Sequence, residues 1–414
     1  MHRLVRSIVP LVLLLGACTD APQPTAPGDA RRDESEAPAN TVTELPLPGL
    51  SAADSNAFVR GKYLFQKLFN QAKGLGPTFN ARSCAECHGG NDGKFSGTGN
   101  RLEFHFTRLN ADGSCSTLAN HGGFVKQDSA TNALKYYTDF DDGEPFPTVP
   151  HDTARRITPD LFGSGLIAAI PEAAILAHAD PNDADNDGIS GRAHMVNGVL
   201  GRFGRKAEGT DLDRFNAGAL LREMGMTNPE FMVENSVGSW AIESLPDSVD
   251  PTPPDSLDMG SYDLAALNAF VRFLAPLPSK APSTPEELEG EDLFTSTGCG
   301  KCHTPQAYTT ASTFSALNGK TVRPFSDFLL HDMGSQPAPH LGDICLLSAS
   351  RTEFRTEPLM GARFMSAFMH DGLATSIDQA ILQHGGEAAA ARNAYSTTLT
   401  AAQRQALIAY INTL

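Results

Sequence analysis

Positive charge is scarce in this chain. Its 414 residues carry 32 Lys and Arg against 48 Asp and Glu, a formal net charge of −16 at pH 7. Such a surface repels phosphate backbones and anionic headgroups, which argues against nucleic acid and membrane surfaces as partners. A basic protein or a small neutral molecule is easier to accommodate. Long apolar runs are also missing after the first fifteen residues, so no later segment is expected to cross a bilayer. Cysteine is limited to seven residues, histidine to twelve, and tryptophan to Trp240 alone. No second Cys/His pair stands close to either cysteine cluster, which argues against structural zinc.

The few cysteines are placed with purpose. Cys84-Ala85-Glu86-Cys87-His88 and Cys299-Gly300-Lys301-Cys302-His303 repeat the pattern Cys-x-x-Cys-His. Two thiols at this spacing can add to the two vinyl groups of one porphyrin, and the adjacent histidine then falls on the iron. Two covalently bound haem c groups are therefore expected, with His88 and His303 as iron ligands. That chemistry requires export. Arg3 and Arg6, the apolar run Ser7 to Leu15 and the sequence Leu15-Gly16-Ala17-Cys18 read as a lipoprotein signal peptide over 1–17, with Cys18 lipidated. Residues 18–50, rich in Ala, Pro, Thr, Asp and Glu, read as a disordered tether. The expected location is the periplasmic side of a bacterial membrane, which the chain touches only through its lipid. Cys115 and Cys345 are then left over, one in each half. An oxidising compartment favours a disulfide between them, and two buried free thiols are the alternative.

The halves echo one another. Gly61-Lys62-Tyr63-Leu64-Phe65 precedes the first box and Gly290-Glu291-Asp292-Leu293-Phe294 the second. Arg156-Ile157-Thr158-Pro159 and Ala174 to His178 are matched by Arg355-Thr356-Glu357-Pro358 and Ala380 to His384. Each half closes on an amphipathic helix, through Leu264, Leu267, Phe270 and Val271 or through Leu407, Ile408 and Ile411. The fold class expected is mainly α, with two cytochrome c-like haem domains related by duplication, 51–278 and 283–414, parted at the proline-rich segment from Pro276 to Pro285.

Five stretches carry a family resemblance: GLGPTFNARSCAECHGG, GSGLIAAIPEAAILAHADPNDADNDGISGR, GRFGRKAEGTDLDRFNAGALLREMGMTNPEF, FSDFLLHDMG and FRTEPLMGARFMSAFMHDGLATSIDQAILQHGGEA. In these the chain resembles the bacterial di-haem oxidoreductases, catalogued as peroxidases or thiol oxidoreductases and related to the di-haem cytochrome c peroxidases. The resemblance implies reduction of hydrogen peroxide at the N-terminal haem with electrons received by the C-terminal haem from a small cytochrome c or cupredoxin. Met333, in the pair Met333-Gly334, matches the methionine that completes the electron-accepting iron, with Met360, Met365 and Met369 as competitors and His331 as the runner-up. The chain departs from the peroxidases where they carry Trp-Asp-Gly in the first domain: here the place reads Ala168-Ala169-Ile170-Pro171. This leaves two alternatives open, a di-haem electron carrier without turnover and an oxidase of an organic or protein substrate.

Further candidates are weaker in pattern. Peroxide chemistry needs an acid–base group and a displaceable position on the reactive iron, for which Glu172 and His121 are the candidates. Arg156 and Arg355, each three residues before a proline, could pair with haem propionates. Asp183, Asp185 and Asp187 on alternate positions before Gly188 resemble a calcium-binding turn, although His194 stands where a closing Glu belongs. The related peroxidases hold a calcium ion between their haem domains, which implies the same role here.

Overall fold

In the computed structural model, residues 45–89, 102–137, 143–234, 256–334 and 344–414 are described; the leader, most of the tether, Cys18 and Trp240 lie outside them. The chain is 36% helix and 14% strand. The elements that build the site are, in chain order, α1 (Ala52–Gln66), α2 (Cys84–His88), β1 (Leu102–Leu109), β2 (Cys115–Ser116), β3 (Asp152–Ile157), α3 (Glu172–Leu176), α4 (Leu212–Met224), α5 (Ser261–Phe273), α6 (Pro285–Ser296), β4 (Leu330–Asp332), β5 (Glu353–Arg355), α7 (Ile377–Leu382) and α8 (Ala401–Ile411).

Two helix pairs cross in the same way. α1 packs on α5 and α6 on α8. At the first crossing a Cβ on Gly61 would run into the Ala266 carbonyl and Phe270; at the second, one on Gly290 would run into the Ala406 carbonyl and Tyr410. Only glycine lets the backbones approach this closely. The starts are fixed locally. Ser51 caps α1 by accepting from the Asp54 amide, while α6 and α8 open with capping boxes, Thr284 with Glu287 and Thr400 with Gln403. Pro285 occupies the first turn of α6, where its missing N–H costs nothing.

The largest sheet among the described residues follows the first box. β1 is the centre of an antiparallel three-stranded sheet, flanked by β2 and β3, with Glu103 opposite Arg156. Its sequence alternates, with Glu103, His105 and Thr107 on one face and Phe104 and Phe106 on the other.

The two halves share one core. From Val42 onward the chain forms a single compact unit. A continuous buried cluster joins Phe65, Leu166, Phe270 and Phe273 to Tyr308, Leu317, Val322 and Phe328, across the boundary expected at 278–283. A smaller cluster of Phe294, Phe325, Tyr395, Leu407, Tyr410 and Ile411 sits at the α6/α8 crossing. Polar ties reinforce the join. The fully buried Lys206 donates to the carbonyls of Ser350, Arg351 and Glu353 at 2.9, 3.0 and 2.6 Å, and Arg192 pairs with Glu353 at 2.6 Å. Cys115 and Cys345 form a disulfide across 230 residues of chain, while Cys84, Cys87, Cys299 and Cys302 are in no disulfide.

Candidate haem sites

The second box follows α6 directly. Gly298, at φ +92°, turns the chain, Cys299–Lys301 form a 3₁₀ turn, and His303 follows. These residues line a cavity of about 600 Å³. Its apolar wall includes Phe294, Leu359, Ile377, Ile381 and Ile411, and its polar residues include Arg205, Arg351, Arg355 and Glu357. Two buried polar atoms in that wall, Thr158 Oγ1 and Gln383 Oε1, lack a partner among the described residues. A large flat group with an apolar body and a polar edge fits this lining, which is what haem is.

The histidines are prepared as ligands. His303 Nδ1 donates to the Phe325 carbonyl at 3.1 Å, and His88 Nδ1 donates to the Pro159 carbonyl at 3.2 Å. A carbonyl can only accept, so each Nδ1 carries the proton and each Nε2 keeps its lone pair for metal. Burial pushes both imidazoles down to about 4, so both are neutral at pH 7. Burial likewise pushes the Cys84 thiol up to about 12 and raises Cys299 and Cys302. Such thiols are not poised as thiolate nucleophiles, which counts against a redox dithiol.

A residue not singled out in the sequence faces His303 across this cavity. His384, just past α7, donates through Nδ1 to the Ala380 carbonyl at 2.7 Å, and burial lowers its pKa. Its ring centroid lies 6.4 Å from that of His303. Two metal–imidazole bonds of about 2 Å each, plus the depth of two rings, span about 6.3 Å. Met333 lines the same cavity, as do Met365 and Met369, while Met360 packs against the main core. Met333 stands in the same cavity wall, and the separation is compatible with one metal held between His303 and His384. The signal was present in the sequence as the His-Gly pair following Met369-His370-Asp371-Gly372. Replacing His384 by Ala is expected to convert one haem from low-spin to high-spin in its absorption and EPR spectra, with Met333→Leu leaving them unchanged. The reverse pattern would return the ligand to Met333.

His331 is excluded as an iron ligand because both of its nitrogens are taken. Nε2 donates to Asp327 at 3.0 Å and Nδ1 to Glu387 at 2.7 Å. Burial alone would lower its pKa, but its bonds to Asp327, Cys302 and Glu387 outweigh that and push it up to about 12. Glu387 also accepts from the Ser190 hydroxyl at 2.6 Å and from the Asp332 amide at 3.1 Å. Burial works against the Glu387 carboxylate, yet these bonds hold its pKa at about 2. Its stabilisation is present above the ordinary carboxyl pKa and is lost as pH falls through 2. Glu387→Gln is expected to cost about 2 kcal/mol at pH 7 after discounting for solvent screening, and to flatten the loss of stability in acid. Denaturant unfolding at neutral and acid pH measures both; an unchanged acid slope would contradict the assignment.

The remaining candidates are distributed unevenly. Arg355 stands in the cavity wall, but its donors go to Glu357 at 2.6 Å, Gly204 O at 2.9 Å and Thr356 O at 3.1 Å. Arg205, which the sequence did not single out, shares Glu357 at 2.8 Å. Arg156 is buried outside the cavity lining, with its guanidinium 6.0 Å from the Phe354 ring. Glu172 is exposed and accepts from the Leu200 amide at 3.4 Å, which makes it a helix-start residue rather than one facing the cavity. His121 ends a short 3₁₀ turn between the left-handed Leu118 and Gly122 and does not line the cavity. Asp160 does line it, and burial pushes its carboxyl up to about 7. In the acidic turn, Asp180, Asp183 and Asp185 bring carboxylate oxygens within 4.8 Å of one another, whereas Asp187 pairs with Lys301 of the second box at 3.0 Å. Beside the segment Ala168-Ala169-Ile170-Pro171, Arg202 donates to the carbonyls of Ile167 and Ala168 at 3.3 and 3.4 Å.

No curated protein matches the chain. Among solved structures, hydrazine synthase of Kuenenia stuttgartiensis is 14% identical over 94% of this chain and 100% of its own, with a TM-score of 0.40. A MauG-like protein associated with microbial copper homeostasis is 16% identical over 91% and 94%, with a TM-score of 0.39. The di-haem peroxidase BthA of Burkholderia thailandensis is 18% identical over 90% and 87%, with a TM-score of 0.41. These likenesses are distant. The model of the family described as "Di-haem oxidoreductase, putative peroxidase" matches residues 151–414, and the chain belongs to that family of oxidoreductases.

Proposed function

We propose that this chain is a periplasm-facing di-haem c oxidoreductase that reduces hydrogen peroxide, with electrons entering at the Cys299–His303 site and used at the Cys84–His88 site. The observation that carries the reading is the repeated preparation of ligands: two boxes, each with a neutral histidine whose Nδ1 is held by a carbonyl. The haems would supply the redox chemistry, and thioether bonds from the four box cysteines would hold them. His303 and His384 would hold one iron, making that site an electron store rather than a substrate site, while His88 would hold the other. Pro159, whose carbonyl orients His88, lies between Thr158 and Asp160, both of which line the second cavity. One residue of backbone thus links the two sites, a short path for electrons.

Asp160, which adjoins the Pro159 whose carbonyl orients His88 and which burial pushes up to about 7, is a better source than the exposed Glu172 for the acid–base group that peroxide cleavage needs. The matched glycine crossings, Gly61 on α5 and Gly290 on α8, support descent of the two halves from one duplicated haem domain. Calcium bound by Asp180, Asp183 and Asp185 would brace the turn that Asp187 ties to Lys301 and hence to the second box. The leader, Cys18 and the disulfide support export and a lipid anchor.

The test is a stopped-flow spectrum of half-reduced protein mixed with peroxide. Loss of the ferrous signal within milliseconds supports the reading. No change over seconds overturns it and leaves an electron carrier.

A further inference from the structure

A part-buried set of ionisable groups touches the segment before the first box on one side and Arg205 of the second cavity on the other, and the proposed chemistry does not use it. Glu103 and His105 project from the same face of β1, and His105 Nε2 is 3.0 Å from Glu103 Oε2. Glu223, near the end of α4, meets Glu103 carboxyl to carboxyl within hydrogen-bonding reach. Two carboxylates accept but cannot donate, so this contact requires a shared proton.

The surroundings hold the pair in place. Asn80 donates to Glu223 at 2.8 Å, and the amides of Asn80 and Ala81 donate to the Glu223 carbonyl at 2.7 and 3.3 Å, a few residues before Cys84. On the other side Arg205, the strongest positive neighbour of Glu103, stands in the wall of the second cavity and pairs there with Glu357. The charged groups facing the pair are Arg156 from β3, Arg205 and Glu208 from the loop before α4, Arg222 from α4 and His105 from β1. His105 is pushed down to about 4 by burial and is neutral. Burial raises the pKa of both Glu103 and Glu223, and the charge of Glu103 raises that of Glu223 further, so the pair favours holding a proton.

We propose that Glu103 and Glu223 form a redox-linked proton site, which takes one proton from solvent when an electron enters the neighbouring haem sites and returns it when the electron leaves. An added electron makes the region more negative, which stabilises the protonated pair; one electron and one proton enter together and depart together. The electron comes from the reduced donor that the proposed function already requires, on which this inference rests. The site would keep the interior close to constant charge while electrons are stored, and would hold a proton in reserve for a reaction that consumes protons as well as electrons.

The experiment is a spectroelectrochemical titration of the two-haem protein from about pH 6 to about pH 9, together with E103Q and E223Q. In the wild type the reduction equilibrium of at least one haem should change several-fold per pH unit, approaching about tenfold at full coupling. That dependence should be flattened in both variants. Reduction-induced infrared difference spectra of wild-type protein labelled with carbon-13 glutamate should show a protonated carboxyl band that moves with the label, which separates glutamate from haem propionates and does not depend on the variants folding. A pH-independent equilibrium, a dependence that survives both substitutions, or a carboxyl band insensitive to the label would each overturn the inference. Peroxide is absent from both measurements, so an iron inert to peroxide sinks the proposed function alone.

Discussion

A chain carrying Cys299→Ala and Cys302→Ala will retain one covalently bound haem and lose turnover with peroxide and a reduced donor. The second box stands in the wall of the 600 Å³ cavity with its histidine oriented by Phe325. Without thioether bonds a porphyrin at that site would depend on His303 and His384 alone and be lost on purification. The first box sits on a separate helix, capped by Ser83 through the Glu86 amide, and should load its haem regardless. Peroxide would then meet an iron with no reserve electron. Haem content by pyridine haemochrome and steady-state turnover read the two effects separately. Full turnover in the variant would show that the sites do not work as a relay.

Breaking the Cys115–Cys345 bond is expected to be the most destabilising change that leaves the haem boxes intact. The bond closes a loop of 230 residues. Cross-linking a loop of this length restricts the unfolded chain by about 5 kcal/mol in the chain-entropy account. Cys115→Ser with Cys345→Ser should lower the melting temperature by about 6 °C, as should mild reductant on the wild type. The native state should change little, since Thr107 already packs on Cys345 and the Lys206 and Arg192 ties to the segment from Ser350 to Glu353 remain. A shift below about 2 °C would mean that the halves stay associated in the unfolded state.

The haem boxes, the helix pairs and the family were legible in the sequence because each depends on local spacing. Cys-x-x-Cys-His is a five-residue chemical requirement, and the stripes of α5 and α8 are a matter of helical period. What depended on distant segments meeting was harder to read. Met333 satisfied a local pattern, Met-Gly, yet the residue placed opposite His303 is His384, some eighty positions on, brought there by α7. The sequence offered His331 as an alternative to Met333, but not as a residue fully occupied by Asp327 and Glu387, because Glu387 comes from a different element. Asp180 joined the acidic turn and Asp187 left it for Lys301, a choice made by the second half of the chain. The alternation of β1 could have revealed the strand and the shared face of Glu103 and His105, but an eye set for helical period passes over period two.

The measurement that tests the account most directly is the intact mass of the denatured protein purified from a host competent to attach haem, read beside its haemochrome spectrum. The account predicts a mass in excess of the polypeptide by two haems, and a spectrum of saturated porphyrin side chains on both. A mass equal to the bare polypeptide, or haem that is released on denaturation, would contradict it.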